Sequence, residues 1–588
     1  MKVLGLSGLP NGIRFRRSEW PDLEEREYRI AQGLDASAAL VIDGVIVAAA
    51  AEERFNGQKH SERFPAGAIE FCLRQAGLSL DDVDEVGHCF DYSPHRRSYL
   101  YHNVSARLYR EALGPPAMLE SLRAYDPEFP PQRFQPVNHH LSHAASAFFT
   151  SGWDECLVIV IDAMGETDSL SVYAGRGQTL RKIHSAGWRD SLGILYSLIT
   201  LHLGFDFNAD EYKIMGLAPY GDPERYRARV ESLVHLTQEG GLCIPLLRKQ
   251  LSYLDDPGMR GARRELEPLL GKPRSPDEPV LQEHCDVAAA LQACLERAVL
   301  HVCGSFGAST GLTRLALGGG VALNCCANGR LMRSGLFDAV YVQPAAGDDG
   351  AALGAALYRS SLSEPVVNVR MPAPLLGPCY PQDDIEAALL EFQDRIEVVR
   401  FSDLSRTCRK AAKMIAEGSV IAWYRGRMEF GARALGNRSI LGDPRPAAMR
   451  ELINAMIKKR EAFRPFAPAV SLEQAHIYFD VPAGAEFPHM VATVPVREAF
   501  QSRLGAVTHV DGSARVQTVA ARDHPAFHAL LKAVGARLGM EVVLNTSFNV
   551  KGQPIVNTPR EAVSTFLSTG LNALFLQDTL VLRRHAAD

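Results

Sequence analysis

One pattern, met twice, does most to limit what this chain can fold into. Residues 34–55, LDASAALVIDGVIVAAAAEERF, read as two apolar strands joined at Asp43-Gly44, a dipeptide that favours a tight hairpin turn. Residues 155–183, ECLVIVIDAMGETDSLSVYAGRGQTLRKI, repeat the plan: an apolar strand, a polar turn opening on Asp162 and containing Gly165, then a strand of alternating character. Two similar halves in one chain point to an internal duplication. Each half is strand-rich first and helical afterwards. PAGAIEFCLRQAG (65–77) has helical spacing, and HHLSHAASAFF (139–149) has small residues suited to close helix packing. Val287, Leu291, Cys294, Leu295, Ala298 and Val302 form a further helical stripe, which leads into TRLALGGGVALN. That segment reads as a strand, a triple glycine and the start of a helix, an arrangement that presents backbone N–H groups to an anion.

At 588 residues the chain is too long for one core. The stretch 364–384 holds five prolines and little periodicity, so the domain linker is placed there, between a first domain at 1–363 and a second at 385–588. Residues 223–282, rich in Arg, Glu and Pro, read as an insertion without a clear apolar face. With 63 Lys and Arg against 68 Asp and Glu, the net charge of −5 offers no basic excess to neutralise a run of phosphates, which argues against a nucleic-acid partner. The N-terminal apolar stretch is broken by Pro10, and no segment is read as long enough to span a bilayer, so a cytoplasmic protein without a membrane partner is expected. Eleven cysteines, an odd number with no CxxC, suggest reduced thiols, with Cys325 and Cys326 as small packing residues.

Three constellations carry candidate chemistry. In the first, His139 and His143 stand one helical turn apart, a spacing that suits two imidazoles on one metal and equally a packed pair. Asp162 and Asp348, each at a strand end where an acid has no packing reason to sit, complete a set better suited to Fe²⁺, Mn²⁺ or Zn²⁺ than to Mg²⁺ or Ca²⁺. The second joins DEYKIMGLAPYG (210–221), LGGGVALN (317–324) and GDDG (347–350). Gly318, Gly319 and Gly320 let backbone close on phosphates, Lys213 adds charge, and Asn324 offers an amide to a base or ribose, so a nucleotide is the expected ligand. The third is basic: Arg425, Arg427, Arg433, Arg438, Lys458, Arg460 and Arg464, interleaved with Met428, Phe430, Leu435, Phe463 and Phe466. Cations set among apolar residues suit a small, doubly charged anion better than a solvated surface does.

Across these constellations the chain resembles the NodU/CmcH O-carbamoyltransferase family over nearly its whole length. The shared series is DASAAL, EERF, HHLSHAASAF, KIMGLAPYG, LGGGVALN, GDDGAALGAA, RMEFGARALGNRSIL, KKREAFRPFAP, HVDGSARVQTV and LNTSFN, in order. The resemblance implies an α/β architecture: a duplicated actin/sugar-kinase/Hsp70-like (Kae1-like) domain followed by an α/β YrdC-like domain. It also implies a chemistry, in which carbamoyl phosphate is cleaved in the C-terminal domain and the carbamoyl group is activated by ATP as carbamoyl adenylate. The group then passes to a hydroxyl of a small natural product. It assigns His139, His143, Asp162 and Asp348 as metal ligands, and Lys458, Arg515, Asn545, Ser547 and Asn549 to the carbamoyl-phosphate region, with Lys458 and Ser547 catalytic.

The departures from the family pattern bear on the acceptor. Leu34 stands where the family has a His before the Asp of its DAS motif, leaving Asp35 as the candidate catalytic group. An amine acceptor, or a nucleotide-binding homologue that no longer transfers, are the alternatives this raises. Residues 9–33 are an insertion placed to reshape the acceptor pocket; Ala163 replaces a usual Gly, and Gln553 stands where Glu is common. Oligomeric state stays open, a homodimer included.

Overall fold

The fold is seen in a computed structural model, which describes residues 1–249, 254–368, 370–371, 373–458 and 461–584; Arg460 of the basic constellation lies outside the described residues. The chain divides into two compact units, one of Met1–Asn56 and His60–Met371, the other of Gly57–Lys59 and Pro372–Asp588.

In the first unit, Lys2–Ser7 (β1), Ser37–Ile42 (β2), Val45–Ala51 (β3), Glu85–His88 (β4) and Phe134–Pro136 (β5) form a sheet in the order β3-β2-β1-β4-β5. The first three strands pair antiparallel, and β1-β4 and β4-β5 pair parallel. A second sheet contains Glu155–Ile161 (β6), Asp168–Arg176 (β7), Thr179–Gly187 (β8), Arg314–Gly318 (β9) and Ala339–Val342 (β10). Its order is β10-β9-β6-β7-β8, with the same senses of pairing. The duplication holds in topology, with β1-β2-β3 answering to β6-β7-β8, so the unit has the actin/sugar-kinase/Hsp70-like plan; the hairpin at Asp43-Gly44 corresponds to the β7-β8 turn, and the sequence pairing of 34–55 with the turn at Asp162 is one strand out of register. Asp43 and Gly44 both have positive φ, 51° and 75°, as a two-residue turn matched to the twist of β2 and β3 requires.

Helix α1 is His139–Phe149, α2 is Gln282–Thr310 and α3 is Asp348–Ser361. α1 and α3 pack closely enough that a Cβ at Gly354 would lie 1.7 Å from the Ser142 carbonyl oxygen. Backbone meets backbone there, and no side chain can yield. Gly354→Ala is therefore expected to destabilise the first unit by at least about 2–3 kcal/mol, the upper range for overpacking. Denaturant unfolding checks this, and wild-type stability in the variant would contradict it.

Two expectations are corrected here. The segment 223–282 does have an apolar face: in the helix Arg260–Leu270, Ala262, Leu266 and Leu270 are buried at intervals of four. The intervening Arg and Glu residues conceal that period in the composition. Arg260 reaches Glu27 at 2.8 Å, Arg263 also pairs with Glu27, and Arg16 donates to the Pro257 carbonyl at 2.7 Å, so this segment braces the 9–33 insertion. The second correction concerns α2, whose 29 residues are long and apolar enough to cross a bilayer by length and composition alone. In the folded chain 67% of its most apolar stretch is buried within the protein, the pattern of a core helix.

The second unit is α/β, built on a mixed sheet. Its strands are Ile396–Arg400 (β11), Ile421–Tyr424 (β12), Arg438–Gly442 (β13), Ala467–Ser471 (β14), Gln517–Val519 (β15), Val542–Ser547 (β16), Ala573–Leu576 (β17) and Thr579–Arg583 (β18). They are ordered β11-β18-β17-β12-β13-β16-β14-β15. The central strands are buried on both faces, which explains their unbroken apolar runs.

Candidate metal centre and anion site

α1 brings His139 and His143 together with their Nε2 atoms 3.1 Å apart. Asp162 directly follows β6, and Asp348 opens α3, so the close packing of α1 on α3 delivers the second acid. Asp162 Oδ2 and Asp348 Oδ1 each lie 3.4 Å from His139 Nε2, and Asp348 Oδ1 lies 3.7 Å from His143 Nε2. One ligand atom from each of the four falls within 4.8 Å of the others.

The surroundings fix the orientation of these groups. The Cys89 carbonyl, 3.1 Å from His139 Nδ1, holds a proton on that nitrogen and leaves Nε2 as the atom that faces the two acids. Phe90 stacks on the same ring at 4.2 Å. Asp162 Oδ1 accepts from the Gly320 N–H at 2.9 Å, which turns its other oxygen toward His139. Burial alone would raise the Asp162 carboxyl and lower the His139 imidazole. Contact with His139 instead holds Asp162 well below the usual carboxylate range, and Asp348 and Asp162 hold His139 well above the usual imidazole range. The cluster thus favours positive charge at its centre, and two imidazole nitrogens with two carboxylate oxygens in this space fit a divalent metal ion.

The glycine loop differs from its expected form. After β9 it runs through a short 3₁₀ turn, Gly320–Leu323, and the helix begins only at Cys325. Its Gly320 N–H serves Asp162, and Gly318 and Gly319 pack against the main chain of His143 and Ile161, where an added Cβ would lie 3.0 and 2.4 Å from the carbonyl oxygens. Asn324 caps the following helix through the Ala327 N–H at 3.0 Å and donates to Gln292 Oε1 at 2.9 Å, occupying the amide that was read as a nucleotide contact. Lys213 contacts Asp210 at 2.9 Å and lies over the Phe205 ring. Cys325 is buried against Met215, and all eleven cysteines are free thiols.

In the second unit, the buried Lys458 ends a π-helical turn, Asn454–Lys458. Its ammonium donates to the main-chain oxygens of Ser547 and Asn549 at 2.5 and 2.9 Å and to Asn549 Oδ1 at 2.7 Å. Ser547 Oγ donates to Asn549 Oδ1 at 2.7 Å. Asn545 stands two residues before Ser547 on β16, hence on the same face, with its Nδ2 on Gln517 and its Oδ1 buried without a hydrogen-bond partner among the described residues. Arg515 ends a short strand two residues before Gln517, and its Nε is likewise buried and unpartnered. The oxygens of Ser547 and Asn549 that hold the ammonium are neutral, and a buried ammonium positioned by such oxygens is suited to an incoming anion.

Several cations of the basic constellation are engaged by the protein's own groups. Arg438 is fully buried, 3.6 Å above the Tyr424 ring, and donates to the carbonyls of Arg425, Gly426, Asn437 and Pro378. Arg425 pairs with Asp578, Arg464 with Glu461, and Arg427 donates to the Leu376 carbonyl at 2.6 Å. Interleaving with apolar residues marked these cations as buried, yet burial here serves the loop 425–438 itself. Glu429 Oε1 gathers that loop by accepting from the N–H groups of Leu435, Asn437 and Arg438; Arg433 lies in the same loop. Arg438→Met is expected to cost about 3 kcal/mol or more, because several buried carbonyls lose charged donors at once. Equilibrium unfolding measures it, and an unchanged midpoint would contradict the assignment.

Three groups went unremarked in the sequence. Glu166, in the turn after Asp162, accepts from the His139 N–H at 2.9 Å and the Asp91 N–H at 2.6 Å and anchors the start of α1; a second acid in one turn was the available signal. Asp349, the second acid of GDDG, has a carboxyl pushed up to about 7 by burial and by the nearby Asp35 charge. His60 contacts Asp35 at 2.7 Å. Of the departures noted above, Ala163 and Gln553 make contacts through their main-chain oxygens, to Ser191 and Asn549, which explains why their side chains are free to vary.

Strand order places the first unit in the actin-like fold, and its His/Asp cluster has ligand atoms close enough together to hold a metal ion. Residues 31–357 match the carbamoyltransferase N-terminus and residues 412–583 the carbamoyltransferase C-terminus, and the chain belongs to this NodU/CmcH carbamoyltransferase family. It is 42% identical over 592 residues to nodulation protein NolNO of Sinorhizobium fredii, covering 100% of this chain and 83% of the relative. It is 36% identical over 267 residues to the 3'-hydroxymethylcephem-O-carbamoyltransferase of Amycolatopsis lactamdurans, covering 45% of this chain and 48% of that one. Among solved structures, full-length HypF in the phosphate- and nucleotide-bound form aligns at 12% identity and a TM-score of 0.31, over 62% of this chain and 56% of that one.

Proposed function

We propose that this protein is an ATP-dependent O-carbamoyltransferase that consumes carbamoyl phosphate and carbamoylates a hydroxyl of a small natural product. The observation that carries the reading, given the family, is the buried Lys458 held by neutral oxygens beside Ser547 and Asn549. In the second unit, water attacks the carbonyl carbon of carbamoyl phosphate and phosphate leaves, its charge met by Lys458 and Arg515. The carbamate oxygen then attacks the α-phosphorus of Mg²⁺-ATP, expelling pyrophosphate and forming carbamoyl adenylate. Finally the acceptor oxygen attacks the carbamoyl carbon and AMP leaves.

His139, His143, Asp162 and Asp348 would hold an Fe²⁺, Mn²⁺ or Zn²⁺ ion, which when bound supplies a Lewis-acid charge near the reacting groups. Gly320 and Cys89 orient two of these ligands through their backbone, and Lys213 offers a cation to the nucleotide. A second reading, carbamoylation of an amine, is favoured by Leu34, which is buried in place of the family's imidazole.

The nucleotide product distinguishes activation from ordinary phosphoryl transfer. With carbamoyl phosphate and ATP the protein is expected to release AMP and pyrophosphate, resolved by nucleotide chromatography. ADP as the sole product would overturn the reading in favour of a kinase-like activity.

A further inference from the structure

We propose that His60, oriented by Asp35, is the general base that deprotonates the acceptor hydroxyl; this rests on the carbamoyl-transfer reading above. Leu34 is only 5% exposed and carries no titratable group, so no base stands at that position. The adjacent Asp35 has φ 60°, and His60, 25 residues away in sequence, has φ 54°. Two non-glycine residues in the left-handed region and in mutual contact mark a geometry that the surrounding structure imposes.

That geometry is held from several sides. The Ala36 N–H donates to the Ser61 carbonyl at 2.8 Å, tying the 34–37 turn to the loop that bears His60. The His60 N–H donates to Glu53 Oε2 at 2.9 Å, and Glu53 is itself paired with Arg54 at 3.0 Å. Asn56 Nδ2 donates to Ser61 Oγ at 2.8 Å. Within this frame the Asp35 carboxylate lies 2.7 Å from His60 Nδ1. A carboxylate only accepts, so the proton belongs on Nδ1 and the lone pair on Nε2. His60 Nε2 is shielded from solvent and has no hydrogen-bond partner among the described residues. A buried, unpartnered imidazole nitrogen is a standing acceptor for a donor that arrives with a ligand.

The placement suits the transfer step. Ser37, two residues after Asp35, donates through Oγ to the Asp349 carbonyl at 2.7 Å, so the turn carrying the dyad is tied to the start of α3, where Asp348 joins the metal cluster. The charged groups around the dyad are Glu53, Arg54 and Asp349. In the step, the acceptor O–H proton moves to His60 Nε2 and the oxygen's electron pair forms a bond to the carbamoyl carbon. The bond from that carbon to the phosphate oxygen of AMP breaks, and AMP leaves with its electron pair. His60 then returns its proton to AMP or solvent. Asp35 touches no substrate and acts as a positioning residue.

The test separates a base from a structural support by using two acceptors. Glycerol at molar concentration presents hydroxyls that need deprotonation, whereas hydroxylamine is a strong nucleophile in its neutral form. With ¹⁴C-carbamoyl phosphate and ATP, His60→Ala is expected to carbamoylate glycerol about 10²–10⁴-fold more slowly than wild type. Its AMP formation without acceptor and its transfer to hydroxylamine should stay within about threefold of wild type, a change small against general-base effects. Added imidazole should restore part of the glycerol reaction. Asp35→Asn should show the same selective loss, without rescue by imidazole. Glycerol transfer at the wild-type rate in His60→Ala overturns the proposal, as does an equal loss with both acceptors that imidazole does not rescue. Wild-type protein that makes AMP but carbamoylates hydroxylamine alone, or neither probe, also overturns it. Wild-type protein that makes no AMP contradicts the activation reading, and this proposal falls with it.

Discussion

Replacing Lys458 by methionine is expected to lower carbamoyl-phosphate-dependent AMP formation by about 10²–10³-fold, the loss seen when one preorganised donor to a developing charge is removed. Methionine keeps the volume and removes only the charge and its donors. Lys458 faces the oxygens of Ser547 and Asn549, 89 and 91 residues away in sequence, and these hold the ammonium in one place before any anion arrives. A leaving phosphate without that partner loses on the order of 3 kcal/mol of stabilisation. The freed carbonyls carry a stability cost, so thermal unfolding should accompany the assay. A variant that folds and makes AMP at near the wild-type rate would remove Lys458 from the chemistry.

His143→Ala is expected to weaken metal binding by at least about 100-fold, since even the partners that orient metal ligands are worth 10–100-fold. His143 is almost fully buried and stands one turn from His139, so no neighbouring side chain can replace its nitrogen. Elemental analysis of dialysed protein, prepared with iron, manganese and zinc available, reads this directly. Asp348→Asn should give a smaller loss in the same assay, because its neutral oxygen can still coordinate. Stoichiometric metal in His143→Ala would show that the ion sits elsewhere.

Much of the first unit was legible because its signals are local. Asp43-Gly44 fixes one hairpin, and an apolar strand running into Asp162 marks the start of the second half, whereas β1, which opens the first half, was not legible. The exchange of short strands was not legible: β4 and β5 have four and three residues, too few for any period to show. The candidate ligands could be named because His139 and His143 are one helical turn apart and Asp162 follows a strand; Asp348 is not at a strand end but opens a helix. What makes them a cluster, the contact of Gly354 with the Ser142 carbonyl, depends on two helices two hundred residues apart. The role of Arg438 was not legible for a related reason. Apolar neighbours show that a cation is buried, but the carbonyl cage that satisfies Arg438 comes from backbone conformation, which residue type does not announce. His60 lay in a polar loop with no periodic or spacing signal, and only folding sets it against Asp35.

The central claim is that ATP is cleaved to form carbamoyl adenylate, and carbamoyl-phosphate-dependent exchange of ³²P-pyrophosphate into ATP tests it most directly. Reversal of adenylate formation returns the label to ATP without any acceptor, so the acceptor's identity does not enter the measurement. Wild-type protein should exchange label only when carbamoyl phosphate is present, and Lys458→Met should not. Exchange that ignores carbamoyl phosphate, or its absence while ATP is turned over to ADP, would contradict the account.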